Sequence, residues 1–478
     1  MADRIKIKKE DDLIGWYNQV LLNSEVVDFS DIKGFSVYRP YGYEMWELSM
    51  FYLDRSFKEK GVKNAYFPLL IPESFLSKEK EHVKHFNPEV AWVTMGGDSL
   101  LDERLAVRPT SETIMYRSYS KWIKSYRDLP MLINQWNTMV RWETKETRFF
   151  LRGRENLWQE GHCVFATEDE AIKNTEDMIK VYKNFTEGVL AVPVLMGFKS
   201  ENEKFGGAVK TYTIEAVLPN HFASQAGTSH YLGRNFSKAF DVKFLDKNNE
   251  WQYAYQNSWG ISARAIGIMV LVHGDNNGLV LPPYIAPVQV VIIPIINEKS
   301  EASVIGYSQK IYDLLKSLGV KVKLDERREY SPGWKFNEYE MKGVPLRIEV
   351  GENEVKADKV SIKTRFNGKK EEMPFEALNN ISEKLSQIQS EMFARAQSIM
   401  NSAIKVEKNR ESFIKTLKSG SDIVKAAWCG NPVCETSIDK ETGASSRLIP
   451  MAEEELIDKK CIFCDDPAKY NAYFGQSY

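Results

Sequence analysis

Between residues 105 and 264, three short polar clusters interrupt otherwise apolar, structured-looking sequence. Any fold for this chain must place charge where its neighbours demand burial. The clusters are Arg108-Pro-Thr-Ser-Glu112, then Arg141-Trp-Glu143 with Arg152-Gly-Arg-Glu-Asn-Leu-Trp-Gln-Glu-Gly-His162, and Trp259-Gly-Ile-Ser-Ala-Arg264. Guanidinium groups make planar, bidentate contacts with phosphate and stay charged at any working pH. Two or three arginines, a carboxylate two residues from one of them, and a separate carboxylate-and-aromatic set suit a triphosphate bound beside a small cationic, partly apolar metabolite. Residues i and i+2 of a strand share a face, so Arg141 and Glu143 are expected to project together into one site. Singly, each cluster has a plainer reading. An Arg-x-Glu pair is commonly a solvated ion pair worth little, and Trp-Gln-Glu-Gly-His suits an edge strand with a satisfied histidine.

No Gly-x-x-x-x-Gly-Lys-Ser/Thr loop and no G-x-G-x-x-G helix opening occurs, which excludes P-loop and Rossmann phosphate sites. Phe205-Gly-Gly-Ala-Val-Lys210 has neither spacing and reads as a tight turn closing on a ligand. The arginines are left to hold the phosphates.

With 478 residues the chain exceeds the roughly 250–300 at which single cores stop growing, so two or three domains are expected. A net charge of −2 argues against a globally basic nucleic-acid coat, so any RNA contact must be local. No run of 18 uncharged apolar residues occurs, and Met-Ala-Asp-Arg-Ile-Lys lacks an apolar leader core, so a cytoplasmic protein with no membrane contact is expected. Of five cysteines, four lie near the end as Cys429-x4-Cys434 and Cys461-x2-Cys464. Two such pairs can close a tetrahedral Zn²⁺ site. Four thiolates leave no position for water, so the expected zinc is structural. Disulfides or incidental core cysteines are the alternatives.

Asp12–Leu22 reads as a helix capped by Asp11 or Asp12, and Tyr41–Lys60 as a long amphipathic helix stopped at Gly61. Ala65-Tyr-Phe-Pro-Leu-Leu-Ile-Pro72 reads as a proline-broken strand, Thr167–Leu190 as a surface helix with an acidic start, and Ala263–Leu271 as a buried helix beginning at the site. Past Pro282 the texture changes. The β-branched run Val288–Ile296, the periodic Ser303–Leu318, then Val320–Leu324 and Leu346–Val350 indicate a small α/β domain. Ile285–Met400 holds 18 basic and 17 acidic residues, and Lys363–Lys370 reads as a solvated hairpin face or a phosphate contact. From about residue 396 a charged helix leads into the cysteine-bearing part, which ends in Tyr470-Asn-Ala-Tyr-Phe-Gly-Gln-Ser-Tyr478.

Together and in this order, the clusters resemble motifs 2 and 3 of the class II aminoacyl-tRNA synthetases, most closely the prolyl-tRNA synthetases of archaeal and eukaryotic type. The resemblance runs from about Leu13 to Tyr478 and includes Val90-Ala-Trp-Val-Thr94, Ala226-Gly-Thr-Ser-His230, Asn257-Ser-Trp-Gly260 and Val272-His-Gly-Asp275. It implies an α/β and α+β multidomain fold. Residues 1–284 would form the class II antiparallel-sheet catalytic core, 285–395 an α/β anticodon-binding domain and 396–478 a zinc-binding α+β domain. Pro68 with its two leucines resembles motif 1, whose helix and strand build a homodimer interface in that family; a helix–strand pair buried within one subunit fits the pattern nearly as well.

The resemblance further implies a ligase that joins L-proline to ATP and then to tRNA(Pro), with Mg²⁺ bridging the phosphates. Arg141 would hold the α-phosphate and the proline carboxylate, and Glu143 would accept from the adenine amino group. Arg152 and Arg264 would grip the β- and γ-phosphates, and Gln225, Thr228 and Ser262 match positions near the nucleotide. Thr110 and Glu112 match the proline-binding T-x-E element, while Trp158, Glu160, His162, Phe205 and His230 match the ring pocket. Phe86 and Glu89 match further lining residues, and the terminal carboxylate of Tyr478 would point toward the site, with a frayed tail as the alternative.

Two departures stand out. After Arg154-Glu155 the family usually offers a phenylalanine to adenine, whereas this chain has Asn156. Only 120 residues separate Glu143 from Arg264, so the editing insertion of bacterial-type relatives is absent there. The rival readings are a synthetase-like binding protein without charging activity, and a class II enzyme for threonine, serine or glycine.

Overall fold

The computed structural model describes residues 5–76, 89–420 and 422–477. At its centre lie six antiparallel strands in the spatial order Met131–Val140, Glu155–Phe165, Tyr255–Ser262, Ala223–Gly233, Lys210–Val217 and Leu195–Phe198. The two-residue strand Lys63–Asn64 adds parallel to Met131–Val140 at one edge. Helices Glu168–Gly188 and Arg264–His273 contribute Tyr182, Phe185, Ile268 and Leu271 to the main core, where they join Trp16, Phe57 and Trp259. Thr167 caps the first of these helices, accepting from the Glu170 N–H while Glu170 accepts from the Thr167 N–H.

The sheet is close-packed by reciprocal use of tryptophan and glycine. Gly161 stands opposite Trp259, and a Cβ at Gly161 would lie 2.1 Å from the Trp259 ring. Gly260 makes the same room for Trp158, at 2.6 Å. Each ring occupies the space its partner glycine vacates.

Beyond Leu195–Phe198 the sheet does not end. Strand Ser445–Pro450 pairs with it antiparallel, Ile449 opposite Phe198, and is followed by Tyr470–Gly475, Ile423–Trp428 and Ile404–Val406. The cysteine-bearing part therefore continues an eleven-stranded sheet. Polar groups bind the seam. Glu215 accepts from Lys199 Nζ at 2.6 Å and from Arg447 at 2.9 Å, all three buried. The intervening α/β unit has its own five-stranded sheet, ordered Val322–Leu324, Val290–Pro294, Leu346–Val350, Lys359–Thr364 and Lys370–Pro374, with its own core. Helix Ile381–Ser402 leads out of it and runs through residue 396.

The first helix spans Leu13–Asn23, with Asp12 accepting from the Ile14 and Gly15 amides, and the second spans Pro40–Glu59 before Gly61 at φ +81°. Two expectations need correction. Ala65–Pro72 is not one strand: Lys63–Asn64 joins the central sheet, Leu70–Pro72 joins a separate three-stranded sheet, and Pro68, which has no N–H for a ladder, lies between them. Nor do Arg141 and Glu143 lie on a strand, because the strand stops at Val140 and Trp142-Glu143 form a turn.

Gly161→Ala should lower unfolding stability by about 1–3 kcal/mol through overpacking against Trp259. Gly306→Ala, in a helix with nothing within 4 Å of the added methyl, should raise it by about 0.5–1 kcal/mol. Urea unfolding of both variants checks the pair, and equal midpoints would contradict the packing account.

Candidate active site

Strand alternation builds the site. Trp158, Glu160 and His162 share one face of Glu155–Phe165, while Gln159 on the other face meets Tyr182. Across the sheet, Gln135, Glu160, Gly260, Thr228 and Thr213 form one row, and Ile133, His162, Ser258, His230 and Thr211 the next. Gln225 lies three residues from Thr228 and would face away in a regular strand. A register shift, in which Gly227 pairs with Ile214 but Gln225 with Glu215, turns it back to the site face. There its Nε2 donates to Thr213 Oγ1 at 3.2 Å.

Two adjoining cavities open on this face. The larger, about 440 Å³, is lined by Arg141, Glu143, Arg152, Gln225, Thr228, Ser262 and Arg264, all anticipated from sequence. The smaller, about 230 Å³, is lined by Thr110, Glu112, Arg141, Trp158, Glu160, His162, Phe205 and His230, likewise anticipated. Arg141, Trp158, Gln225, Thr228 and Gly260 border both. Sequence reasoning missed Thr144, Glu146, Arg148 and Ser477 in the larger cavity, and Glu203, Thr211 and Ser258 in the smaller. The alternation of Thr211, Thr213 and Glu215 in an otherwise apolar strand was the available signal for one of these. Phe86 and Tyr478 lie outside the described residues. Glu89 borders neither cavity, its carbonyl accepting from the Trp142 N–H. Arg108 is structural: buried, it donates to the Thr138 and Phe67 carbonyls, both at 2.9 Å.

The larger cavity is net cationic, with Arg141, Arg148, Arg152 and Arg264 on its wall against Glu143 and Glu146. Arg264 is half-buried at the start of its helix, its Nε donating to the Leu151 carbonyl at 2.9 Å. Burial, then the like charge of Arg141 and that of Arg152, lower its guanidinium to about 10 despite Glu215, so it stays cationic at neutral pH. Arg141, Arg152 and Arg264 form no salt bridge among the described residues. A polyanion would relieve this repulsion. Asn156 sits on the same wall with its amide donating to the Gly153 carbonyl at 3.0 Å.

The smaller cavity holds buried carboxylates. Burial alone would raise Glu160, but the hydrogen bond and charge of His162 (3.0 Å), with Ser111 and Asn137 donating, hold it below the usual carboxylate range. The same bond, with the charges of Glu112 and Glu160, raises His162 against its burial. Thr110 donates to Glu112. Burial and the charge of His162 push His230 down to about 3, leaving it neutral and stacked on Phe205 at 4.6 Å. Acceptor oxygens beside aromatic faces are what a secondary ammonium on an apolar ring requires. The ligand atoms of Glu112, Glu160 and His162 also lie within 4.8 Å of one another, a spacing that could hold a metal. Their neighbours argue for an ammonium instead, since Glu160 already accepts from Ser111, Asn137 and His162, and His162 Nδ1 faces the Tyr116 hydroxyl.

The second cluster is separate. The sulphurs of Cys429, Cys434, Cys461 and Cys464 lie within 4.8 Å of one another, with Cys429–Cys464 at 3.6 Å and Cys434–Cys461 at 3.8 Å. Four sulphurs about 2.3 Å from a tetrahedral ion stand about 3.8 Å apart, whereas a disulfide requires about 2.05 Å. The donor set fits Zn²⁺, and four thiolates would leave it no open position. Metal analysis should find about one zinc per chain, lost when Cys434 and Cys461 both become serine. Zinc retained at full occupancy in that variant would contradict the site.

Comparisons with known proteins bear on this geometry. Residues 93–273 match the tRNA synthetase class II core domain (G, H, P, S and T), 289–385 the anticodon binding domain and 410–478 the prolyl-tRNA synthetase C-terminal domain. Proline--tRNA ligase 2 of Clostridioides difficile (strain 630) is 47% identical over 472 residues, covering 98% of this chain and 97% of the relative. The proline--tRNA ligase of Cenarchaeum symbiosum (strain A) is 46% identical over 476 residues, covering 99% of each. The prolyl-tRNA synthetase of Cryptosporidium parvum complexed with halofuginone and AMPPNP superposes with a TM-score of 0.95 at 43% identity, covering 99% of both chains. Its complex with L-proline and AMP gives 0.93 at 42%, covering 99% of this chain and 97% of that one. By sequence over its whole length and by fold, the chain belongs to the prolyl-tRNA synthetase family, within the class II aminoacyl-tRNA synthetases.

Proposed function

We propose that this chain activates L-proline with ATP to form prolyl-adenylate and pyrophosphate, then transfers proline to the 3′ end of tRNA(Pro). The observation that carries this reading is the shared wall of the two cavities, where Arg141 borders a cationic pocket on one side and a carboxylate-and-aromatic pocket on the other. Two anions must meet in the reaction, the proline carboxylate and the α-phosphate. A guanidinium at their junction lowers that repulsion and aligns them. Arg152 and Arg264 take the β- and γ-phosphates, with Gln225, Thr228 and Ser262 around the nucleotide and Glu143 on the adenine amino group. Glu112 and Glu160, with Thr110, receive the ammonium, while Trp158, His162, Phe205 and His230 enclose the ring. Mg²⁺ bound with the triphosphate supplies charge neutralisation, and Glu146 offers a carboxylate on that wall.

The α/β unit's own sheet and core, and the cluster around the four cysteines, support a division into a catalytic domain at 1–284, an anticodon-binding domain at 285–395 and a zinc-binding domain at 396–478. Exposed Phe51 on helix Pro40–Glu59, with Tyr66 and Leu69 just beyond it, supports a homodimer through the motif 1 face. Among the described residues no helix is long and apolar enough to cross a membrane, and cytoplasmic location is the reading in keeping with the family.

ATP–pyrophosphate exchange tested with each amino acid in turn should respond to proline. Arg141→Ala and Arg264→Ala should each cut the proline-dependent rate at least about 10²-fold, as for loss of a transition-state contact, with unchanged circular dichroism. Exchange driven by threonine, serine or glycine in preference to proline would overturn the substrate, and near wild-type rates in either variant would overturn the site.

A further inference from the structure

The segment between strands Leu195–Phe198 and Lys210–Val217 brings Glu203 and Phe205 to the smaller cavity. Its base is fastened to the four-cysteine domain. Glu435, adjacent to Cys434 on helix Pro432–Thr442, is buried, and its Oε1 accepts from Ser200 Oγ at 2.7 Å and from Ser446 Oγ. Ser200 Oγ in turn accepts from the Glu203 N–H at 3.3 Å, and the Ser200 carbonyl accepts from the Lys204 N–H at 3.0 Å. Asn202 Nδ2 donates to the Pro432 carbonyl, at the start of the same helix, at 3.0 Å. On the far side, the Phe205 N–H donates to Thr211 Oγ1 at 3.0 Å. That hydroxyl is bonded to His230 Nδ1, also at 3.0 Å, and the Phe205 ring stacks on His230. A continuous line of contacts thus joins Glu435 to the cavity wall.

Glu435 is a costly way merely to glue two domains. Its Oε2 is buried with no hydrogen-bond partner, a loss that an apolar side chain would avoid. What a carboxylate gives in return is a strong acceptor for the Ser200 hydroxyl. No residue from 199 to 209 borders the larger cavity.

We propose that Glu435 is a positioning residue for amino-acid binding: through Ser200 it fixes the segment from which Glu203 and Phe205 wall the smaller cavity. The four-cysteine domain thereby sets proline affinity without touching proline. This rests on the smaller cavity being the proline pocket and the larger the ATP pocket.

The test is pyrophosphate exchange by the full-length enzyme with proline and ATP varied separately, beside calorimetric titration of proline. Absence of exchange in the unaltered enzyme would defeat the functional reading itself, whatever the variants do. In active enzyme, Ser200→Ala and Glu435→Ala should each raise KM and Kd for proline about tenfold, with kcat and KM for ATP within twofold and zinc content unchanged. Glu435→Gln, which keeps the acceptor oxygen, should restore most of the loss. The double variant should be no worse than the weaker single variant, since both break one interaction. Should Glu435→Ala fail to fold, Ser200→Ala and Asn202→Ala, on the catalytic side of the seam, carry the same expectation. Unchanged proline affinity in Ser200→Ala, equal rises in KM for proline and ATP, or additive losses in the double variant would each overturn the proposal.

Discussion

The alternation along Glu155–Phe165 is the constraint on which the catalytic half depends. One face of this strand must be dry, because Gln159 and Gly161 meet Tyr182 and Trp259. The other face must carry Trp158, Glu160 and His162 into a pocket. A slip of one residue would exchange the two faces, burying a carboxylate in the aromatic core and exposing the glycine that makes room for Trp259. The Trp259–Gly161 and Trp158–Gly260 interlock forbids that slip, so the packing that stabilises the sheet also fixes the register of its functional side chains.

Charge is handled differently in the two pockets, and the difference follows from what each has to bind. In the smaller one, Glu160 and His162 offset each other and are further satisfied by Ser111, Asn137 and Tyr116. It is preorganised, and a cation entering it meets an existing field of acceptors. In the larger one, Arg141, Arg152 and Arg264 are gathered without salt-bridge partners among the described residues, so the folded chain bears a repulsion that a bound nucleotide removes. Binding there is also a gain in stability for the fold, by mass action.

Much of this was legible in the order of residues. The helices Pro40–Glu59 and Glu168–Gly188 follow from apolar periodicity and from their ends, because local rules act within one turn. The residues of both cavities could be named because their types are dictated by phosphate and ammonium chemistry. Their geometry was less legible. Arg141 and Glu143 reach one pocket from a turn rather than a shared strand face, and Gln225 faces Thr228 only because the ladder shifts register. Neither follows from a period of two. Glu203 was missed because a lone glutamate in a loop resembles any solvated charge. The extension of the central sheet by Ser445–Pro450 could not be read at all, since strand partners distant in sequence leave no local signature.

That extension bears on how the enzyme comes into being. Strand Leu195–Phe198 has an outer edge that stays bare until Ser445–Pro450 arrives, and a bare edge is a template for foreign strands. On a growing chain, the residues up to Arg264 could emerge and pair while the strand that closes their sheet is still unsynthesised. Ala223 of the central sheet is bridged by Ser477, which also borders the larger cavity. Assembly of the nucleotide pocket therefore waits for Ser477 to be synthesised, and a nascent chain stalled before residue 445 would carry an open sheet edge and an incomplete pocket wall.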